Sequence, residues 1–385
     1  MRVSKTDLKI YQNSDFIAIF DLLKKYTKRA YFVGGFVRDF FLGRESGDID
    51  IEVYDINPQK FSEIMGELGA LGTGKQFFVY KFHNFDIALP RTENKVGVGH
   101  KAFEVALAND EKIGARRRDF TINSMMINIF SGEVLDFYGG LNDLRGRILR
   151  VVDEKSFVED SLRVYRGVQF AARFGFDIEP KSLELMRQID TSDLSVERIC
   201  AELIKLFRAK FQGLGLVILH DLGLFEKIFG VQISRERCVK IANFIDNGRK
   251  FVSDEAFFLY AVLNLLSLDK KQILENLKLN SHFRRIINEP FYKKINDEKL
   301  MQISLQMPIN LWLGVYNQTR INRAKKLGVY EQKFKTKICG DELVKQGFSG
   351  KNLGLELKNR QKIEIKEFLN SHHKIAQKSV NLESF

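Results

Sequence analysis

Cysteine is scarce, with three in 385 residues. Cys200, Cys238 and Cys339 lie far apart and none sits in a C-x-x-C pair. That pattern excludes a disulfide framework and a cysteine zinc site, and it points to a reducing compartment. No apolar run approaches the roughly 18 residues a membrane span needs. The opening MRVSKTDLKIYQNSD is polar, with no apolar leader region, so a cytoplasmic location and no membrane partner are expected. Internal repeats and low-complexity segments are missing too. Acid is in deficit: 61 Lys and Arg face 49 Asp and Glu, for a net charge of +12 and a pI near 9.4. Such a surplus, spread along the chain, suggests a polyanionic partner without naming it. With 44% hydrophobic residues over this length, two to four domains with ample core are expected.

What is present centres on residues 31–54, YFVGGFVRDFFLGRESGDIDIEVY. It predicts a strand at Tyr31–Val33, a tight turn at Gly34-Gly35, a helix over about Val37–Leu42 and a strand over about Asp48–Tyr54. The two glycines let backbone come close to a ligand, with free N–H groups that favour anions. Asp48 and Asp50 alternate with Ile49 and Ile51, so both carboxylates share one face and both isoleucines enter a core. Neighbouring carboxylates repel. A hard divalent ion, Mg2+, relieves this and brings a substrate phosphate with it. The order G-G-x-V-R-D, then D-x-D, resembles the nucleotidyltransferase superfamily of DNA polymerase β type. More narrowly it is similar to the bacterial tRNA nucleotidyltransferases (CCA-adding enzymes) and their relatives, the poly(A) polymerases.

Around this stretch, Ser14 predicts the cap of a helix to about Tyr26, and Asn57-Pro58 the start of one to about Leu68. Gln76–Phe82 and Phe85–Leu89 read as a hairpin. Asp86, on its second strand, is either a third metal ligand or base, or an exposed strand residue. Residues 91–104 read as a long loop, where Arg91, Thr92 and Glu93 resemble the family's R-x-E in a loop that helps the switch from C to A addition. RRDFTIN, from Arg117 to Asn123, matches R-R-D-F-T-x-N. The planar, permanently charged fork of arginine suits phosphate. The resemblance implies Arg118 as the triphosphate contact, with Asp119 and Asn123 orienting the sugar end. Asp136, Gly139, Gly140, Asp143 and Arg150 match the segment that links head to neck.

A second chemical motif is FVEDSLRVYRGVQF, from Phe157 to Phe170. Glu159, Asp160, Arg163 and Arg166 fall at three- and four-residue spacing and are expected on one helical face. Salt bridges are the plain reading. The chemical one is stronger. Cytosine and adenine each show an amino donor beside a ring-nitrogen acceptor, which a carboxylate and a guanidinium match. Uracil and guanine present the reverse, and each mismatch leaves polar groups unpaired at about 1–3 kcal/mol apiece. E-D-x-x-R is the motif to which the family assigns base choice, so Asp160 and Arg163 take that role by resemblance. Gln169 replaces the last arginine of the family's R-x-x-R-x-x-R series, which removes one triphosphate contact.

Ser195, Glu197, Arg198 and Glu202 match a neck element. His220-Asp221 resembles the core of an HD metal site, but the other histidines offer no clear ligand set, so helix packing is the better reading. Basic pairs such as Arg284-Arg285 and Arg323 to Lys326 suit an RNA backbone or a solvated face. Gly340, Gly347, Gly350 and Gly354 match a glycine-punctuated C-terminal segment of CCA-adding enzymes, which favours tRNA.

The resemblance implies an α+β chain: an α/β nucleotidyltransferase head over 1–150, a helical neck that reads the base over 151–230, a helical body over 231–330 and a tRNA-binding tail over 331–385. It implies template-independent addition of CMP and AMP to the 3′ end of tRNA from CTP and ATP. Mg2+ would be held by Asp48 and Asp50, and the triphosphate by Gly34, Gly35, Arg38, Arg118 and Arg166. The alternatives are a partial C-adding or A-adding enzyme, a poly(A) polymerase, and an inactive RNA-binding protein. No protein partner is implied.

Overall fold

The computed structural model describes residues 1–74, 78–95, 103–107 and 109–382, of which 73–74, 91–95, 103–107 and 373–382 are described by backbone alone. The chain divides into two compact units, Met1–Gln232 and Ile233–Phe385.

The first unit opens with helix α1 (Ser14–Leu23), capped by Asn13, whose Oδ1 accepts from the Phe16 amide at 2.9 Å. Asn13 thus takes the place expected of Ser14, which is already helical. Strand β1 (Ala30–Val33), helix α2 (Gly35–Phe41), strand β2 (Ile49–Val53) and helix α3 (Pro58–Leu68) follow as expected. Asn57 caps α3, with Pro58 at its first position. Next come β3 (Leu71–Gly74), β4 (Val79–Phe82) and β5 (Phe85–Ala88). The start of the expected 76–82 strand, at 76 and 77, lies outside the described residues. The segment expected as one loop over 91–104 is instead a ribbon at both ends: β6 (Arg91–Lys95) pairs antiparallel with β7 (Phe103–Leu107). Residues 96–102 lie outside the description, as do the side chains of Arg91, Thr92 and Glu93. Helix α4 (Glu111–Arg116) and strands β8 (Met126–Asn128) and β9 (Val134–Leu135) complete the head.

The main sheet runs β3-β4-β5-β2-β1-β8-β9. Only β2 and β5 pair parallel; the other neighbours are antiparallel. Its register explains the site. Val33 pairs with Asp50, so the chain turns at Gly34 directly beside that carboxylate, and Asp50 pairs in turn with Asp86. Ile49, Ile51, Phe32 and Phe85 are buried, and α1 covers that core by stacking Phe16 against Phe32 and Phe85.

Helix α5 (Gly140–Gly146) and a short strand pair lead to α6 (Glu154–Phe157), α7 (Leu162–Phe174), α8 (Pro180–Gln188), α9 (Val196–Arg208), α10 (Gln212–Asp221) and α11 (Leu224–Phe229). Helix α7 is buried along most of its length, from Val164 to Phe174. No stripe pattern was needed, because β-sheet and helices cover it on several sides.

The second unit is helical. The apolar run Ala256–Leu266, expected to be buried throughout, is fully buried from Ala256 to Leu263 and half-buried over its last three residues. Phe244, Phe257, Tyr260, Phe291 and Tyr316 form an aromatic cluster. Two of the basic residues expected to follow RNA are half-buried in ion pairs: Arg285 pairs with Asp254 and Glu289, and Arg323 with Asp297. Gly340–Lys345 and Gly350–Leu382 are the last helices, with Gly347 and Gly350 at positive φ between them. Among the described residues no helix is long and apolar enough to cross a membrane.

Candidate active site

Gly34 is the centre of the head site. Its φ of 66° and ψ of −132° suit glycine alone. A Cβ there would meet Arg118 Nη1 and Asp50 Oδ2, each at 3.3 Å. Backbone, carboxylate and guanidinium therefore converge on one point, from three separate stretches of chain. Asp48 stands exposed just ahead of β2 and Asp50 half-buried within it. Burial pushes the Asp50 carboxyl up; Arg118 opposes this, and Asp86, Glu52 and Asp48 add to it, leaving the group above the usual carboxylate range. Asp86 lies one strand over and is ion-paired with Lys81 at 3.2 Å. Among the described residues no group of three His, Cys, Asp or Glu forms a ready metal cage.

Arg118 is only one-fifth exposed. Its Nη2 donates to Glu52 Oε1 at 2.5 Å, and Arg117 Nη2 donates to the same oxygen at 3.2 Å. Glu52 continues the alternation of Asp48 and Asp50 on β2. The sequence-based expectation did not include it, although the i, i+2, i+4 pattern D-x-D-x-E over 48–52 carries its signal.

A second network lies behind the glycine turn. Arg38 is buried; its Nε and Nη2 donate to Asp39 at 2.9 Å each, and its Nη1 donates to Asn123 Oδ1 at 2.6 Å. Asn123 Nδ2 donates to Asp119 Oδ1 at 2.8 Å. Arg166, from α7, holds Asp119 Oδ2 through Nε and Nη2, both at 2.7 Å. Asp39, Arg38, Asn123, Asp119 and Arg166 thus form one continuous chain from α2 to α7. Arg38, expected to touch the triphosphate, is a buried link of that chain. The aromatic faces of Phe174 and Phe170 lie 4.7 and 5.4 Å from its guanidinium carbon.

Glu159 and Asp160 are not on the face of α7. They occupy the turn before it, and Asp160 Oδ1 accepts from the Leu162 amide at 3.2 Å, which helps end that turn and begin the helix. Asp160 also pairs with Arg198 at 3.3 Å. Arg163 Nη1 donates to the Ser156 carbonyl at 2.5 Å and Nη2 to the Arg117 carbonyl at 2.7 Å. Its guanidinium therefore ties α7 to the segment that carries Arg118.

Residues 30–150 match the family model described as the poly A polymerase head domain, and 175–233 match the one described as the probable RNA and SrmB- binding site of polymerase A. A CCA-adding enzyme of Streptococcus agalactiae is 30% identical over 284 residues, spanning 71% of this chain and 70% of that one. The chain belongs to the CCA-adding enzyme and poly(A) polymerase family. Family members of known structure share its fold. The Bacillus stearothermophilus CCA-adding enzyme in complex with CTP superposes with a TM-score of 0.66 at 21% identity, covering 96% of this chain and 99% of that one. The Thermotoga maritima CCA-adding enzyme complexed with tRNA gives 0.64 at 24% identity, covering 96% and 98%.

Gln169 stands on α7 at the position where the resemblance leads one to expect an arginine. It is 2% exposed, and its Oε1 has no hydrogen-bond partner among the described residues, as is also true of Glu202 Oε2 on the neighbouring α9. His220 and Asp221 touch each other at 3.3 Å near the end of α10 and gather no further metal ligands among the described residues.

Proposed function

We propose that this protein builds and repairs the 3′ end of tRNA, adding CMP and AMP without a nucleic-acid template from CTP and ATP and releasing pyrophosphate. The observation that carries the reading is the convergence of Asp50 and Arg118 on Gly34, which leaves one side-chain-free spot between an anion and a cation. A nucleoside triphosphate fits there, with Arg118 on its phosphates. Membership of the family supports tRNA, CTP and ATP as the substrates. The reading also places the protein in the cytoplasm, with those substrates.

Asp48 and Asp50 would hold Mg2+. The residues fit it: they offer hard oxygen donors, and burial outweighs the help Asp50 gets from Arg118, with Asp86, Glu52 and Asp48 adding to the penalty on its charge, which a bound cation would relieve. One or two carboxylates with water and substrate phosphate are the ordinary shell of Mg2+. When bound it supplies Lewis-acid charge at the α-phosphate and at the attacking hydroxyl. The tRNA 3′-hydroxyl loses its proton to solvent as its oxygen forms a bond to the α-phosphorus, the bond to the bridging oxygen breaks, and pyrophosphate leaves with that electron pair. Gly34 and Gly35 admit the phosphates closely. Arg166, and Arg38 through Asn123, keep the wall of the site in place. Asp160 accepts from the amino group of cytosine or adenine and Arg163 donates to the ring nitrogen beside it, for which Arg163 must leave the carbonyls of Ser156 and Arg117. Glu159 supports that turn. The head (1–150) does the transfer, the neck (151–230) reads the base, the body (231–330) is helical support and the tail (331–385) holds tRNA.

The test is one assay: the protein with Mg2+, tRNA lacking its 3′ end or ending in C or CC, and labelled CTP and ATP separately and together. Growth to CCA and no further is the expected result. Addition of one nucleotide type alone means a partial enzyme, unlimited A addition to any RNA a poly(A) polymerase, and no addition a binding protein.

A further inference from the structure

Three acidic residues alternate here, Asp48 just ahead of β2 and Asp50 and Glu52 within it, and the third has no assigned role. A third carboxylate on a metal-binding strand invites the reading of a third metal ligand. The contacts argue otherwise. Glu52 is 2% exposed. Its Oε1 accepts from Arg118 and Arg117, and its Oε2 accepts from Tyr54 Oη at 3.2 Å. The surroundings are built around this arrangement. A Cβ on Gly114 of α4 would come within 2.5 Å of Tyr54 Oη and 3.5 Å of Glu52 Oε2, so only glycine lets α4 pass over the pair.

We propose that Glu52 is a positioning residue for triphosphate binding, holding Arg118 by Nη2 so that its Nη1 faces Gly34. A guanidinium is planar, so fixing one nitrogen and its plane fixes the direction in which the others donate. Freed from Glu52, Arg118 has another anion within reach, because Asp50 is the next carboxylate in its field. In that orientation it would compete with the metal for Asp50 in place of meeting phosphate. Glu52 thus keeps the arginine and the carboxylate of the site apart, which neither Arg118 nor Asp50 does alone.

The sign of the effect separates this from simple charge. If Glu52 were only a negative charge near the phosphates, Glu52→Gln would tighten triphosphate binding. If it orients Arg118, the same variant weakens it. The inference rests on the nucleotidyltransfer reading, so the experiment has two readouts. The first is direct binding of inorganic tripolyphosphate to the full chain, which needs no tRNA or turnover. The second is steady-state transfer with CTP and tRNA against Mg2+ concentration. Glu52→Gln is expected to weaken tripolyphosphate and raise KM for CTP by tenfold or more. It should change kcat by less than threefold and leave the Mg2+ midpoint where it is. Glu52→Asp, which keeps the charge on a shorter arm, is expected to recover part of the loss, and it serves as the second variant should Glu52→Gln not fold. Unchanged or tighter tripolyphosphate binding in the folded variants overturns the proposal, and so does a shifted Mg2+ midpoint with unchanged KM, which would make Glu52 a metal ligand. A wild-type protein that binds tripolyphosphate but transfers nothing would overturn the reading of function and leave the positioning role standing on the binding data.

Discussion

Arg166 of the neck helix holds Asp119 of the head through two guanidinium nitrogens, each 2.7 Å from the same carboxylate oxygen. Asp119 is buried and Arg166 only partly so, and the pair joins α7 to the segment that carries Arg118. Burial pushes the Asp119 carboxyl up, but Arg166 and hydrogen bonds from Asn123 and the Phe120 amide outweigh it and hold the group below the usual carboxylate range. Arg166→Ala leaves the carboxylate buried without its cation, at a cost of about 1–3 kcal/mol. The folded pKa is depressed, so this stabilisation is present above the unfolded value of about 3.9 and is lost as the pH falls through the folded value. Urea unfolding of wild type and variant should therefore differ most near neutral pH and converge in acid. A difference that persists unchanged at low pH would show that Arg166 acts through packing alone.

Asp50 has the opposite sign. Its carboxyl is raised, so the penalty on its charge is absent below about pH 3.9 and is complete once the pH has risen through the folded pKa. Asp50→Asn is expected to raise the melting temperature of the metal-free protein at neutral pH, by the equivalent of about 0.5–2 kcal/mol. The same variant should abolish nucleotide transfer. A destabilised Asp50→Asn would mean that Arg118 depends on this charge more than burial opposes it. Asp48→Ala combined with Asp50→Ala should likewise have no transfer activity while keeping the circular dichroism of the wild type.

Gly34→Ala places a methyl group 3.3 Å from both Arg118 Nη1 and Asp50 Oδ2, at a φ that an alanine rarely adopts. The strain is about 1–3 kcal/mol. Thermal unfolding should register it, and transfer should fall because the methyl occupies the spot left for phosphate. Gly43, also at positive φ but with nothing within 4 Å, is the control: Gly43→Ala should share the backbone strain and keep its activity.

Asp160→Asn keeps an oxygen to accept from the Leu162 amide, so α7 should still begin where it does. Its amide can also turn a donor toward the base. UTP and GTP should then be admitted, with discrimination against them falling about 10- to 100-fold in competition assays against CTP and ATP. Unaltered discrimination would remove Asp160 from base choice and leave it as a cap and a partner of Arg198.

Much of this was legible in the residues. The Gly34-Gly35 turn, the alternation of Asp48 and Asp50 with buried Ile49 and Ile51, the Asn57-Pro58 helix start and the burial of most of the apolar run Ala256–Leu266 all depend on neighbours a few positions away. Local periodicity and backbone preference decide such features, and both are written in the chain. The placing of Glu159 and Asp160 on a helical face failed for a related reason. Three- and four-residue spacing persists through the turn before α7, where Asp160 accepts from the Leu162 amide and Ser161 is the N-cap, and spacing alone does not tell turn from helix.

The amino-acid sequence by itself determined the strands and turn that carry the site, the charge available there and the family to which the chain belongs. Only the tertiary structure decided which charged groups are engaged and which are presented. Arg38 and Arg118 are equally good phosphate ligands as residue types. One is buried against Asp39 and Asn123, and the other stands between Glu52 and Gly34. The physical reason is that a guanidinium takes its direction from its hydrogen-bond partners. Asn123 lies 85 positions from Arg38, and Glu52 lies 66 from Arg118. Pairing at that separation is set by sheet register and helix packing, not by any local pattern.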